Sequence, residues 1–131
     1  MTASLDEARR FVRLARDDLA AFQVLVASPQ IRKSLAFFHA QQAMEKSLKA
    51  VLFARSVSFR KTHDLYALAE LLNASGISAP SSSVELASIN PYAVESRHGD
   101  EVTSTLSAAE VDAMAVRLVD WAGGVVASFG D

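Results

Sequence analysis

The chain has 131 residues, a formal charge of −2, half of its residues hydrophobic and 21% charged. That length suits one domain over 1–131, and that composition excludes a disordered tract. With no cysteine there are no disulfides, thiolate metal sites or thiol nucleophiles, which fits a cytoplasmic location, and the slight acidity excludes coating nucleic acid by bulk charge.

Residues 1–16 carry Asp6, Glu7, Arg9, Arg10, Arg13 and Arg16 and no uninterrupted apolar run, so they do not read as a signal peptide. No stretch reaches the roughly 18 apolar residues of a membrane span, and no membrane association is expected. Ser4-Leu5-Asp6-Glu7 has the form of a capping box. Behind it Ala8, Phe11, Val12, Ala15, Leu19, Phe22 and Val26 recur at helical spacing. They predict an amphipathic helix over about 5–27, stopped by Ser28-Pro29. A second helix is expected over about 31–55, then a loop over 56–61. Thr62 is placed to cap a third helix over about 63–74, with Leu65, Leu68, Leu71 and Leu72 as its apolar stripe. A Ser-, Gly- and Pro-containing loop leads to Ser82 and Glu85, a capping signal for a short helix to about residue 89 that Pro91 ends. Residues 91–104 read as irregular. Ser107 and Glu110 open the last helix, expected to run to about residue 128 with Val111, Met114, Ala115, Leu118, Trp121, Ala122 and Val125 inward. Gly123-Gly124 costs this helix roughly 1 kcal/mol per glycine against Ala, and implies either a close helix contact or a frayed end. Strand signals are nearly absent. The expected fold is all-α, an antiparallel up-and-down bundle of four main helices plus a short one.

The second helix carries a polar stripe. At about 100° per residue, His39, Gln42, Glu45, Lys46 and Lys49 fall within an arc of about 120°. Ala36, Phe37, Ala40, Ala43, Met44, Leu48 and Val51 lie opposite. Charge stripes are common on solvated helix faces, and Glu45–Lys49 is an i,i+4 pair in the favourable orientation. Leu35, Phe38 and Phe53 sit within the polar arc, however, and large apolar side chains there point to a second contact, with a symmetry mate or a partner protein.

The block His39-Ala40-Gln41-Gln42-Ala43-Met44-Glu45-Lys46-Ser47-Leu48-Lys49-Ala50 resembles the signature of the HEPN family, the higher eukaryotes and prokaryotes nucleotide-binding domain. Three other segments are similar to the family in the same order: Ala15-Arg16-Asp17-Asp18-Leu19, Lys61-Thr62-His63-Asp64-Leu65, and Tyr92-Ala93-Val94-Glu95-Ser96-Arg97. The resemblance implies an up-and-down helical domain, commonly a homodimer, that often works with a minimal nucleotidyltransferase in a toxin–antitoxin-like pair. Some members resembling it are metal-independent ribonuclease toxins; others are binding or regulatory subunits.

Lys46, Lys49, Lys61, His63 and Arg97 are expected to converge on one cleft, where ammonium and guanidinium groups bind phosphate of a nucleotide or RNA. The amides at the start of the third helix, beside Thr62 and His63, would add to such an anion site. His39, Gln42, Glu45 and Asp64 complete the candidate ligand-binding set. Each has a plainer alternative: His63 as a local hydrogen-bonding partner, Asp64 as a first-turn acid favoured by the helix dipole, and His39 as a half-buried interface residue. Arg97 and His98 are the candidate catalytic residues of a ribonuclease. Ribonuclease members of the family carry, late in the chain, an Arg, four to six intervening residues and then a His; here the one His after Arg97 is adjacent, so enzyme activity is left open. Histidines at 39, 63 and 98 form no i,i+4 pair, and no metal or cofactor is expected. A helical scaffold without ligand is the third reading.

Overall fold

Five helices and one 3-10 turn make up most of the described chain. A computed structural model describes residues 2–93 and 106–130, with helices α1 (Thr2–Val26), α2 (Lys33–Ala54), α3 (Leu65–Ala74), α4 (Ser83–Ala87) and α5 (Ala108–Gly130), and a 3-10 turn at Asn90–Ala93. There is no strand among the described residues, and the expected all-α bundle is what forms. No helix is long and apolar enough to cross a membrane.

Helix α2 is the centre. Its whole apolar arc, Ala36, Phe37, Ala40, Ala43, Met44, Leu48 and Val51, is fully buried. Helix α1 packs antiparallel to it: Phe22 meets Phe37 at one end and Phe11 meets Phe53 at the other, with ring centroids 5.8 and 5.1 Å apart. Helix α5 also runs antiparallel to α1. Gln23 near the end of α1 donates to Asp112 near the start of α5 at 3.0 Å, while Val12 and Arg16 lie beside Gly123. Leu65, Leu68 and Leu72 of α3, Leu86, Ile89 and Tyr92 close the core over the remaining side of α2.

Helix ends follow local chemistry, with two departures from expectation. The Ser82–Glu85 and Ser107–Glu110 capping boxes form as read, each with both reciprocal bonds between 2.9 and 3.1 Å. These bonds hold both glutamates below the usual carboxylate range, the amide of the cap serine contributing most. The Ser4–Glu7 box does not form. The helix begins at Thr2, which puts Ser4 inside the first turns, and Glu7 turns to Arg10 instead. Thr62 does not cap α3 either. Its hydroxyl accepts from the Asp64 amide, and Asp64 caps the helix by accepting from Tyr66 and Ala67. A further capping contact comes from Asn90, whose oxygen accepts from the Leu65 amide while its nitrogen donates to Asp64 at 2.9 Å. Helix α2 ends in a Schellman arrangement, Val57 N–H to Leu52 C=O and Ser56 N–H to Phe53 C=O, with Ser56 at φ 54°.

Candidate functional site

The polar arc of α2 does not lie open to water. Glu45 is 3% exposed and Lys49 8%, and Gln41 beside them is fully buried. Such a carboxylate keeps its charge only with partners, and Glu45 has three. Lys49 Nζ lies 2.8 Å from Oε2, and His63 Nδ1 and Gln41 Nε2 lie 2.9 and 3.2 Å from Oε1. Gln41 also donates to the His63 backbone carbonyl at 3.1 Å, and Gln42 donates to Gln41. His63 is thus held at its ring and at its backbone carbonyl while its side chain stays 62% exposed. A carboxylate only accepts, so Nδ1 carries the hydrogen and Nε2 is left as the acceptor of the neutral ring.

His39 and Lys46 turn away from this group. His39 Nδ1 is 3.1 Å and Lys46 Nζ 2.5 Å from the two carboxylate oxygens of Asp18 on α1. The stripe therefore splits into two charge clusters, one tying α2 to α1 and one tying α2 to the segment before α3.

Next to the Glu45 cluster lies a cleft of about 590 Å³, walled by the start of α1, the end of α2 and the loop after it. Its floor is aromatic. Phe53 packs between Phe11 and Phe59, at 5.1 and 5.2 Å between centroids. The Lys49 ammonium stands 6.0 Å from the centre of the Phe59 ring. Lys61, Ser56 and Ser58 line the rim. Lys61 is exposed and, among the described residues, has no carboxylate at ion-pair distance. The arrangement offers an apolar surface of rings inclined at 58° and 68° to one another, two cations and hydroxyl groups in a volume typical of small-molecule sites.

The HEPN domain family model matches residues 5–125. The chain belongs to the HEPN family. No curated protein and no solved structure matches it. Membership supports a nucleotide-interacting or ribonuclease-type module.

In this HEPN domain Glu45, Lys49 and His63 come together, and Lys61 joins Lys49 at the cleft. His39 and Lys46 gather on Asp18, and Gln42 touches the Glu45 cluster only through Gln41. Asp64 is taken up by the α3 cap and by Asn90, so the helix-start amides expected to receive an anion are already bonded within the chain. Arg97 and His98 lie outside the described residues. The second contact expected from aromatic residues in the polar arc is met by the chain itself at Phe53, which Phe11 and Phe59 cover. Sequence reasoning missed Gln41, Asp18 as a pairing residue, Asn90 and the aromatic floor. Phe11 is far from Phe53 in sequence and reaches it only through the antiparallel packing of α1 on α2, while Phe59 folds back on Phe53 from the loop after α2.

Proposed function

We propose that the cleft binds a nucleotide, the base against the Phe53 and Phe59 rings and the phosphate on Lys61 and Lys49. The observation that carries the reading is the aromatic floor with cations at its edge. Stacking on an aromatic side chain contributes about 1–3 kcal/mol per base, and a lysine without a carboxylate partner is ready for a phosphate. The finer reading is a homodimeric HEPN module acting with a minimal nucleotidyltransferase, as in a toxin–antitoxin-like pair. Isothermal titration of the whole chain with ADP and ATP tests the ligand. Binding should be at least about tenfold weaker in Lys61→Ala and in Phe59→Ala; absence of binding by the unaltered chain would remove the proposal. Co-purification with the product of an adjacent nucleotidyltransferase gene, and its absence, decide the partner.

One observation favours metal-independent ribonuclease action as a second reading. Glu45 orients His63 so that Nε2, which meets no partner among the described residues, takes the proton from a ribose 2′-hydroxyl, which then attacks the adjacent phosphorus as the 5′-oxygen leaves with a solvent proton. The neighbouring lysines offset charge on the phosphate. RNA incubated with the chain in chelator should be cleaved, and His63→Ala should abolish the cleavage. Intact RNA with the unaltered chain would leave the binding module alone.

A further inference from the structure

We propose a second anion site, on the seam of α1 and α5, in which Arg13 and Arg16 grip a phosphate group. It is separate from the aromatic cleft and does not depend on it. Arg9, Arg10, Arg13 and Arg16 stand within eight residues of an otherwise acidic chain. The first two face carboxylates of their own helix, Arg9 at 3.6 Å from Asp6 and Arg10 at 3.5 Å from Glu7. Arg13 and Arg16 have no carboxylate at ion-pair distance among the described residues, and both are exposed. One helical turn apart, they stand on the same face of α1.

These two arginines separate two shallow grooves and line both. The groove on the α1 side, about 440 Å³, contains Arg10, Arg13 and Arg16 against the single carboxylate of Asp17. Glu7 offsets Arg10, so Arg13 and Arg16 against Asp17 leave it at +1. The groove on the α5 side, about 320 Å³, adds Arg9 and Gly123. Two like charges held side by side repel unless an anion lies between them, and guanidinium forks match phosphate oxygens bidentately.

Gly123 is the second, independent observation. A Cβ at this position would lie 2.6 Å from a guanidinium nitrogen of Arg16 and 3.7 Å from its Cζ. The guanidinium end of Arg16 lies against the bare backbone of α5, and a Cβ at 123 would make that flexible end shift. Glycine is among the weakest helix formers, so α5 forgoes helix stability where Arg16 is seated. The neighbouring Gly124 would meet nothing, so the close approach belongs to one glycine only.

The phosphate can be free or part of a polynucleotide backbone, and two probes separate these sources. The full chain is titrated with inorganic pyrophosphate by calorimetry and with a fluorescein-labelled ten-nucleotide oligouridine by anisotropy. For at least one probe, Arg13→Ala with Arg16→Ala should weaken binding at least about tenfold. Gly123→Ala, which keeps every charge, should weaken the same probe while raising or preserving the melting temperature. Loss of pyrophosphate binding identifies a free oligophosphate, and loss confined to the oligonucleotide identifies the backbone. If both probes bind the double variant as they bind the unaltered chain, or if Gly123→Ala leaves affinity unchanged, the site as described does not exist. ADP binding that persists in the double variant would show the aromatic cleft to be independent, and its absence from the unaltered chain bears only on that cleft.

Discussion

Glu45 shows how a single buried charge ties sequence to site. Its carboxylate is held by Lys49, His63 and Gln41, so it fastens the residues before α3 to α2 and aims an imidazole at solvent. Removing one partner of a buried pair leaves the other charge without compensation, at a cost of about 3–5 kcal/mol. Glu45→Gln should therefore lower stability by about 3 kcal/mol, measured by urea denaturation, because Lys49 at 8% exposure would be left unpaired. His63→Ala should cost less than about 1 kcal/mol, since its side chain is largely exposed. Equal costs for the two variants would contradict this division between a structural carboxylate and an available imidazole. Helical periodicity was enough to place His39, Gln42, Glu45, Lys46 and Lys49 on one face. It does not say what covers that face, because Asp18 lies 28 residues before Lys46, and His63 lies 18 residues after Glu45 in a segment without period.

At the scale of the element, the helix ends divide into those written locally and those set by packing. Ser82–Glu85 and Ser107–Glu110 are contained within four residues each and were legible. Thr62 and Asp64 are both adequate caps on sequence, and Asn90, 25 residues beyond Leu65, selects Asp64. The two capping glutamates set an acid limit. Their folded-state values lie below the unfolded one, so the stability they add is present above the ordinary carboxylate range and is lost as the pH falls through the lowered values. Glu85→Gln with Glu110→Gln should flatten the fall in melting temperature between about pH 5 and pH 3; an unchanged slope would contradict the assignment. The end of α2 carries a different constraint. Among the described residues Ser56 is the non-glycine residue with positive φ, a conformation costing roughly 1 kcal/mol or more for an L side chain. Ser56→Gly should raise stability by about 0.5–1 kcal/mol, read by thermal unfolding, and a loss would show that the Ser56 hydroxyl at the cleft rim matters more than the backbone.

On the scale of the whole molecule, a helical bundle is legible from its apolar stripes, since α2 buries its entire predicted apolar arc and Pro29, Gly76 and Pro80 fall between helices. A cleft shared by Lys49 and Lys61 was expected, but its aromatic floor was not legible, because the floor joins α1, α2 and the following loop through ring contacts that no local pattern encodes. Membership of the HEPN family supports a nucleotide-interacting or ribonuclease-type module, and the chain's own geometry supplies the candidate place: Phe53 and Phe59 below, Lys49 and Lys61 at the edge, His63 alongside. The most direct measurement is a backbone amide NMR titration of the isotope-labelled chain with ADP. Shifts should concentrate at residues 49, 53 and 56–63 and saturate with a single affinity. Shifts confined to the Arg13–Gly123 seam, or none at saturating nucleotide, would contradict a nucleotide site in the aromatic cleft.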